Sequence, residues 1–294
     1  MIKVLITGAK GQLANEFRFL AFTHPYFKFI LADRDTFDIT KSRQMKGFFE
    51  RNKDIDFCIN CAAYTAVDKA ESDLKAARKV NVTGAKNLAV ACQKEGIKLI
   101  HISTDYVYHS EKHNKPYDEQ QVVAPKGVYA KTKLSGERLV LRHCAQSLVV
   151  RTSWVYSIFG NNFVKTMLRL GKERAALSVV IDQIGSPTYA RDLAQALIEV
   201  MAKIQNQTVP AADAFGQIFN YANEGVTSWY DFAAAIFEIA ELKTTVSPIP
   251  SVNFPTPAKR PPFSLMDKTK FKTTFDLQIP HWRDALKRCM KELP

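Results

Sequence analysis

The stretch IKVLITGAKGQLANEF at residues 2–17 decides the fold class of this chain. It begins with a short apolar strand at 2–7, turns through Gly8 and Gly11, and continues into a helical pattern. Glycines at such a turn let the backbone approach a pyrophosphate, which binds the N–H groups at the start of the helix. Ala14 takes the third small position, where the helix packs closely on the strand. A glycine pattern between a strand and a helix favours a dinucleotide-binding unit over a tight turn without a ligand.

The second strand, expected at 28–32, ends in Asp33. This residue lies about 20 residues past the glycines, where a carboxylate can accept hydrogen bonds from ribose hydroxyls. Arg34 follows directly and could instead bind a 2′-phosphate. Asp33 is also compatible with an ordinary turn at the end of a strand. The pair leaves the choice between NADH and NADPH open.

The rest of the chain alternates strands with helices, which is typical of a parallel sheet. We expect strands at 2–7, 28–32, 56–60, 98–103, 147–152 and 217–221. We expect helical stretches at 68–79, 84–95, 129–143 and 190–204. The segment 156–189 and the chain after about residue 225 break this rhythm with loops and helices, and the Pro-rich segment 248–262 is expected to be an ordered irregular loop. The pattern predicts an α/β fold with a Rossmann-type, doubly wound parallel sheet.

Tyr129 and Lys133 are four residues apart and therefore lie on one face of an expected helix. Thr104 follows the apolar strand 99–102 and can reach the same point. A free phenol titrates near pH 10, so lowering its pKa by roughly three units takes about 4 kcal/mol, which a nearby ammonium can supply. Such pairs also occur by chance on exposed helices. Together with the nucleotide-binding start of the chain, the pair predicts an acid–base site.

Several longer motifs follow one another along nearly the whole chain. They are GAKGQL at 8–13, NCAAYTAVDKAE at 60–71, STDYVY at 103–108, YAKTK at 129–133, RTSWVY at 151–156, GNNFVKTM at 160–167, DQIGSPT at 182–188 and PTPAKRP at 255–261. In this order they resemble the extended short-chain dehydrogenase/reductase superfamily and, within it, the dTDP-4-dehydrorhamnose reductase family. The resemblance implies an NAD(P)-binding Rossmann domain at 1–155 and 190–225. A smaller, mainly C-terminal substrate-binding lobe would comprise 156–189 and 226–294.

The resemblance also implies an activity. It is the NADH- or NADPH-dependent reduction of the C4 keto group of dTDP-4-dehydro-β-L-rhamnose, which yields dTDP-β-L-rhamnose, a precursor of cell-surface polysaccharide. Tyr129 would donate a proton to the carbonyl oxygen as a general acid. Lys133 would hold the nicotinamide ribose and lower the pKa of Tyr129, and Thr104 would donate a hydrogen bond to the sugar oxygen. The cofactor would carry the hydride chemistry.

The remaining site residues are likewise implied by the resemblance. The cofactor-binding residues would be Gly8, Gly11, Gln12, Leu13, Asp33, Arg34, Asp38, Ile39, Ala63, Tyr64, Thr65, Tyr129 and Lys133. The substrate-binding residues would be Thr104, Asp105, Trp154 and Arg260. Trp154 is also compatible with core packing, and Arg260 with a contact between the two lobes. Asn81 is expected to tie the third helix to the sheet and to have no chemical role.

Other functions of the same fold remain to be weighed. Sugar-nucleotide dehydratases place Asp-Glu after the Thr, whereas Tyr106 follows Asp105 here, so the second carboxylate for the elimination of water is missing. A reductase or epimerase of a related nucleotide 4-keto-6-deoxy sugar stays open. So does a non-enzymatic NADP-binding subunit similar to the regulatory subunit of methionine adenosyltransferase. Thr104, Tyr129 and Lys133 together favour an enzyme.

The net charge of +12 raises nucleic acid as an alternative partner. The positive charges are dispersed over Lys-rich helix faces, however, and form no stripe with interleaved aromatic residues. Such a surface would also steer a dinucleotide and a dianionic nucleotide sugar towards the protein. We therefore expect a nucleotide-sugar substrate and no nucleic-acid partner.

The five cysteines are scattered through apolar surroundings. Cys58 and Cys61 have redox-motif spacing, but they lie in a buried-strand pattern without a second pair, which favours structural thiols in a reducing cytosol. No signal-peptide pattern and no apolar run approaching 18 residues is present, so we expect a cytoplasmic protein without a membrane partner.

A metal site is not expected either. The six histidines have no metal-ligand spacing. In dimeric relatives an acidic residue after the Ser-Pro-Thr segment helps to bind a bridging magnesium ion. Glu16 has a counterpart among those ligands, but Arg191 stands where the second carboxylate would be needed. The sequence is compatible with a monomer or a homodimer.

Overall fold

A computed structural model describes residues 1–109 and 114–293. The strands, in chain order, are β1 (Ile2–Thr7), β2 (Phe27–Ala32), β3 (Phe57–Asn60), β4 (Lys98–Thr104), β5 (Ser147–Thr152), β6 (Val155–Tyr156), β7 (Ala176–Val180), β8 (Ile184–Gly185), β9 (Thr188–Tyr189), β10 (Ile218–Asn220), β11 (Thr227–Ser228) and β12 (Thr245–Ile249).

The α-helices are α1 (Gln12–Leu20), α2 (Ser42–Arg51), α3 (Val67–Ala70), α4 (Leu74–Arg78), α5 (Ala85–Glu95), α6 (Gly127–His143), α7 (Phe163–Glu173), α8 (Ala190–Gln205), α9 (Ala211–Ala214), α10 (Trp229–Ile239), α11 (Thr269–Phe275) and α12 (Trp282–Lys291). A π-helical segment, Lys79–Gly84, leads from α4 into α5. Short 3-10 turns lie at Ala21–Thr23, Asp105–Val107 and Ser251–Asn253. No helix in the described ranges has the length and apolarity needed to cross a bilayer.

The six strands expected from the sequence form one sheet in the order β10-β5-β4-β3-β1-β2. All neighbouring pairs in this sheet are parallel. From β1 the chain moves to β2 on one side and then to β3 on the other, so the direction of winding reverses between β1 and β3. A crevice forms at such a switch point, outside the carboxyl ends of the strands. The predicted Rossmann-type α/β fold is confirmed.

Helices cover both faces of the sheet because side chains alternate along each strand. Val4 and Ile6 belong to one core cluster, which also takes residues of α1 and α8. Leu5, between them, belongs to the other cluster, with residues of α2 and α5. The strands are therefore buried on both sides.

The predicted helix at 68–79 is divided into α3, α4 and the start of the π-helical segment. The break falls at Asp73, whose side chain accepts a hydrogen bond from Ala76 N and so caps α4. A side chain that bonds its own backbone in this way competes with a continuous helix. The periodicity of the stretch does not reveal the interruption.

The segments outside the sheet contain more strand than predicted. β7 pairs in parallel with β12, and β8 pairs with β11. The prediction of an irregular loop from Pro248 onwards was wrong at its beginning, because β12 runs through Pro248 to Ile249. A proline is tolerated at the edge of a small sheet, where its missing N–H costs no ladder bond.

These strand pairs connect 156–189 with the chain after 225, as a common lobe would require. A separate apolar cluster, with Phe232 and Trp282 in it, lies in the same two segments. Phe271 and Phe275, by contrast, belong to the core of the main sheet. The division into two domains remains a prediction, and α11 makes contacts across its expected boundary.

Candidate active site

A cleft of about 870 Å³ lies at the carboxyl ends of the central strands. It brings together residues from the start, the middle and the C-terminal half of the chain. Among the residues predicted for the site, its lining includes Gly8, Gly11, Gln12, Leu13, Asp33, Arg34, Asp38, Ile39, Ala63, Tyr64, Thr65, Thr104, Asp105, Tyr129, Lys133 and Trp154. Arg260 is not part of the lining.

The glycine turn after β1 is shaped for a close approach of the backbone to a ligand. Gly8 has a φ of +71°, and a Cβ atom there would lie 3.0 Å from the backbone nitrogen of Ala62. Gly11 is the N-cap of α1, and no side chain accepts a hydrogen bond from the first N–H groups of this helix. These N–H groups point at a ligand and carry the positive end of the helix dipole. The turn therefore fits the pyrophosphate of a dinucleotide.

Positively and negatively charged side chains alternate at the part of the cleft that follows β2. Lys10 Nζ lies 3.1 Å from Asp33 Oδ2 and 3.2 Å from Asp35 Oδ2. The hydrogen bond from Lys10 is the main reason why the pKa of Asp33 falls to about 2. Arg34 Nε lies 3.5 Å from Asp38 Oδ2, and the Arg34 side chain is exposed. The partner of Asp33 is thus Lys10 rather than its neighbour Arg34.

The loop after β3 is fixed to the helix that bears Tyr129. Asn81 Oδ1 accepts a hydrogen bond from Tyr64 N at 2.8 Å. Its Nδ2 donates to Tyr64 O at 3.1 Å and to Thr132 Oγ1 at 3.1 Å. Asn81 therefore joins this loop to α6, and its side chain has no bond to the sheet among those described.

Thr104 and Tyr129 meet at the end of β4. The Thr104 hydroxyl donates to Asp105 Oδ1 at 3.1 Å and accepts from Tyr106 N at 3.2 Å. Burial raises the pKa of Tyr129 to about 12; the neighbouring Thr104 hydroxyl lowers this pKa, and the charge of Asp105 raises it. The phenol is consequently protonated at neutral pH, as a proton donor must be.

Lys133 is buried one helical turn after Tyr129. Its ammonium donates to the carbonyl oxygen of Ile102 at 2.7 Å. Burial lowers its pKa to about 8, and Glu137 acts in the opposite direction. The role of Lys133 in lowering the pKa of Tyr129 stays a prediction: burial sets the raised pKa of the phenol, and the Lys133 ammonium bonds Ile102 O.

Asp105 and Trp154 line the side of the cleft opposite the glycine turn. Asp105 is buried, and burial raises its pKa to about 6, while the neighbouring Ser264 lowers it. The Trp154 ring stacks on Trp229 with centroids 3.7 Å apart, and Trp154 has a φ of +47°. A Cβ on Gly185 would come within 3.0 Å of the Trp154 ring. Trp154 is thus held as one wall of the cleft.

Arg260 forms a bidentate pair with Asp68. Its guanidinium nitrogens donate to Asp68 Oδ1 at 3.1 Å and to Oδ2 at 2.8 Å. Ala258 N also donates to Asp68 Oδ1, at 3.1 Å. Of the two roles considered for Arg260, the structure shows the contact between the C-terminal segment and α3.

The sequence profile of the RmlD substrate binding domain family matches residues 2–294. The chain is 41% identical over 293 residues to dTDP-4-dehydrorhamnose reductase of Aggregatibacter actinomycetemcomitans, and the match covers 98% of each chain. The chain belongs to the dTDP-4-dehydrorhamnose reductase family. The dTDP-4-dehydrorhamnose reductase of Bacillus anthracis, solved in complex with NADP, is 38% identical with a TM-score of 0.91 and coverage of 99% of this chain and 100% of that one. The Clostridium acetobutylicum enzyme, also 38% identical, has a TM-score of 0.90 and coverage of 99% of each chain.

Several residues of this family member were missed by reasoning from the sequence. Lys10 stands between the two glycines, and its charge was the available signal. Tyr106, inside the quoted 103–108 motif, packs edge-on against the Tyr129 ring with centroids 5.6 Å apart. Gly160 and Asn161 enter the cleft from the loop before α7. Their contribution arises from folding, and no local pattern predicts it.

Glu16 and Arg191, the two residues considered for a bridging metal, form an ion pair. Arg191 Nε donates to Glu16 Oε2 at 2.7 Å, and a terminal nitrogen of the same guanidinium donates to Glu292. In the described ranges no group of three His, Cys, Asp or Glu side chains is arranged to hold a metal ion. The cation facing these two carboxylates is therefore a side chain of the protein, and the residues do not fit a bridging metal.

Proposed function

We propose that this protein reduces the C4 carbonyl of dTDP-4-dehydro-β-L-rhamnose to the alcohol of dTDP-β-L-rhamnose, with NADPH or NADH as the reductant. The observation that carries the proposal is that Thr104, Tyr129 and buried Lys133 line the same cleft as the glycine turn. Membership of the dTDP-4-dehydrorhamnose reductase family supports the substrate. The complex of the Bacillus anthracis relative with NADP supports the cofactor.

The cofactor would be held along the switch point of the sheet. The pyrophosphate would bind the N–H groups at the start of α1, and the loop after β3 would line the middle of the dinucleotide. Lys10, Asp33 and Arg34 would surround the adenosine ribose. The hydride for the C4 carbon is supplied by the bound dihydronicotinamide.

The proton for the carbonyl oxygen would come from Tyr129. The raised pKa of Tyr129 keeps its phenol protonated until charge develops on the substrate oxygen. Thr104 would donate a hydrogen bond to the same substrate oxygen. Developing alkoxide charge favours transfer of the phenolic proton, because alkoxide is a far stronger base than phenolate. When the cofactor binds, the Lys133 ammonium would either give up its hydrogen bond to Ile102 O or keep this bond and also donate to the nicotinamide ribose. Its charge would stabilise the Tyr129 phenolate that remains.

Trp154, Tyr106 and Asp105 would form the sugar-binding part of the cleft. Trp154 presents an aromatic wall, and Tyr106 closes on Tyr129 from the edge. Both rings limit the access of water to the reacting carbonyl. We further propose that 156–189 and 226–294 act together as the substrate-binding lobe, a proposal supported by the β7–β12 and β8–β11 pairs.

Both a monomer and a homodimer accommodate this reaction, since every residue that it uses comes from one chain. The expected compartment is the cytoplasm, and the five free thiols support a reducing environment. Reduction of a related nucleotide 4-keto-6-deoxy sugar is the second candidate function. It is favoured by the cleft itself, whose catalytic residues would contact only the carbonyl shared by all such sugars.

Oxidation of NADPH and NADH with a panel of dTDP- and UDP-linked 4-keto-6-deoxyhexoses tests the proposal. We expect the highest kcat/KM with dTDP-4-dehydro-β-L-rhamnose and an alcohol at C4 of the product. Tyr129→Phe serves as the matched control for contaminating activity. Cofactor oxidation with another sugar of the panel alone would contradict the proposed substrate. Tight cofactor binding without oxidation of any panel member would support the non-enzymatic alternative.

A further inference from the structure

Glu137 lies one helical turn beyond Lys133 on α6 and is almost completely buried. Its carboxylate accepts hydrogen bonds from Arg151 Nε at 3.1 Å and from a terminal nitrogen of Arg151 at 2.7 Å. The hydroxyl of Ser103, the residue before Thr104, donates to the same carboxylate. Glu137 therefore connects the helix that bears Tyr129 and Lys133 with the ends of β4 and β5.

The Arg151 guanidinium is itself anchored on its other side. Its second terminal nitrogen donates to the Tyr108 hydroxyl at 2.7 Å. That hydroxyl donates onward to Asp118 O at 3.0 Å and to Asn220 Oδ1 at 3.1 Å. The ion pair is thus part of a buried polar chain that reaches β10. A chain of this kind holds its members in one geometry when all of them are satisfied.

The groups that face Lys133 differ in their charge. Burial raises the pKa of the Cys61 thiol, on the loop after β3, to about 12. Burial likewise lowers the pKa of His101, on β4, well below its ordinary value, so this ring is neutral. Tyr129, on the same helix, is protonated. Glu137 is the member of this set that carries charge through its ion pair.

We propose that Glu137 is a positioning residue of the reductase site: its carboxylate, clamped by Arg151 and Ser103, keeps the buried Lys133 ammonium protonated and directed at the nicotinamide ribose. The inference rests on the proposed function, because it takes Lys133 as the ribose-binding group. Lys133 is surrounded by low-dielectric protein, where a lone ammonium loses its proton readily. A carboxylate at i+4 on the same helix opposes that loss.

A charge effect on Lys133 is separated from a structural role by two variants. Glu137→Gln removes the negative charge and leaves the positive charge of Arg151 near Lys133. The double variant Glu137→Gln/Arg151→Met removes both charges, whereas Arg151→Met alone would leave a buried carboxylate that takes up a proton. An electrostatic role predicts a shift to lower pH in both variants, with the larger shift in Glu137→Gln.

The experiment measures NADPH affinity from pH 6.5 to 10 by fluorescence titration, and kcat/KM over the same range. In the wild type we expect affinity to fall as Lys133 loses its proton. Glu137→Gln should move this fall to lower pH by about 1 to 2 pH units, and Glu137→Gln/Arg151→Met should move it to lower pH by less. Glu137→Asp keeps the charge and should restore most of the wild-type profile.

Ser103→Ala is the matched control, because it removes one hydrogen bond to Glu137 and no charge. The pH profile of Ser103→Ala should coincide with that of the wild type. Thermal unfolding of each variant establishes that it is folded. An unshifted profile in Glu137→Gln, or an equally large shift in Glu137→Asp, would overturn the inference. If Glu137→Gln does not fold, the double variant Glu137→Gln/Arg151→Met decides, and an unshifted profile in it would overturn the inference. The titration needs no sugar. If the wild type binds NADPH but does not turn over the sugar, only the proposed substrate is rejected. If it binds neither NADPH nor NADH, the proposed function and the role of Glu137 are both rejected.

Discussion

Tyr129 has surroundings that keep its proton in place until the substrate carbonyl takes it. Its ring is packed by Tyr106, and burial raises the pKa of its hydroxyl to about 12. Tyr129→Phe removes only the hydroxyl, so we expect turnover to fall by roughly 10²–10⁴, the usual contribution of a general acid. NADPH affinity should be nearly unchanged. Stopped-flow oxidation of NADPH and a fluorescence titration measure the two quantities, and a fully active variant would remove Tyr129 from the mechanism.

Asp105 predicts a pH dependence of stability. Its pKa is about 6 in the folded protein and 3.8 ordinarily, because burial disfavours the charged form. Between pH 3.8 and about pH 6 the carboxyl binds more protons in the folded state than in the unfolded state. Its ionisation therefore destabilises the fold increasingly as pH rises, and the full cost is reached above about pH 6. The difference corresponds to about 3 kcal/mol at most.

Asp105→Asn removes this pH-dependent cost. We therefore expect the stability difference between variant and wild type to be larger at pH 8 than at pH 4.5, in favour of the variant, by about 2 kcal/mol. Urea unfolding of both proteins at both pH values measures the change, and other effects of the substitution cancel in the comparison. Equal differences at the two pH values would show that the carboxyl ionises as freely in the folded protein as in the unfolded chain.

Cofactor selection depends on the charges around Asp33. Asp33 can accept bonds from the ribose hydroxyls of NADH, while Lys10 and Arg34 can compensate the 2′-phosphate of NADPH. We expect use of both cofactors within about a factor of 100, or under about 3 kcal/mol. Lys10→Ala and Arg34→Ala should each weaken NADPH selectively, whereas Asp33→Ala should weaken NADH selectively.

The ratio of kcat/KM for the two cofactors, measured for each variant, distinguishes these contributions. Lys46→Ala, which removes an exposed lysine on α2, is the control for net charge. If none of the three substitutions changes the ratio, the end of β2 does not contact the adenosine ribose, and the alignment of residues 33–39 with the family is wrong.

At the scale of single residues, the sequence predicted site residues best at positions near the end of a strand. Gly8 and Asp33 come directly after strands of the parallel sheet and Thr104 is the last residue of one, and such positions meet in one crevice. The pairing of Lys10 with Asp33 and of Arg260 with Asp68 could not be read from the sequence. A charged side chain takes whichever partner folding brings near, and both partners are distant along the chain.

At the scale of elements, the contact between α6 and the π-helical segment supports the site. Gly136 lies on α6 between Lys133 and the end of that helix, and a Cβ there would come within 2.2 Å of the Asn81 carbonyl oxygen. The Asn81 side chain in turn holds Tyr64 and Thr132. Glu71 fixes the start of α6 by accepting a bond from Val128 N at 2.7 Å.

Gly136→Ala should therefore separate two backbone segments. We expect a loss of at least about 1–3 kcal/mol of unfolding free energy, the usual cost of overpacking, since a backbone oxygen cannot turn away as a side chain can. NADPH affinity should fall as well. Lys131→Ala, on the exposed side of the same helix, is the control. Denaturant unfolding that coincides with the wild type would show that α6 is not closely packed at this point.

The predicted strands of the main sheet were recognisable because most are short apolar runs, and the central ones are buried on both faces. β7 and β12 were not recognised, since they form a two-stranded sheet with exposed positions and β12 contains Pro248. The π-helical segment was also missed, because its sequence continues the helical pattern of its neighbours.

At the scale of the whole molecule, the cleft is lined by the carboxyl ends of the central strands and by the segment that follows β5. The Asp68–Arg260 pair connects α3 with the C-terminal segment beside this cleft. Phe271 and Phe275 pack into the sheet core, so the C-terminal segment is attached to the Rossmann fold as well as to its own cluster. The motifs predicted the fold class and the family, but these attachments depend on distant contacts that no local pattern contains.

The central claim is a direct transfer of hydride from the nicotinamide to C4 of the sugar, with Tyr129 as the proton donor. Reaction of dTDP-4-dehydro-β-L-rhamnose with NADPH carrying deuterium at either of the two C4 positions of the nicotinamide tests it most directly. The account predicts one deuterium at C4 of dTDP-β-L-rhamnose from one of the two labelled cofactors and none from the other, as read by mass spectrometry and proton NMR. A product without deuterium from either cofactor, or with the label at another carbon, would contradict it.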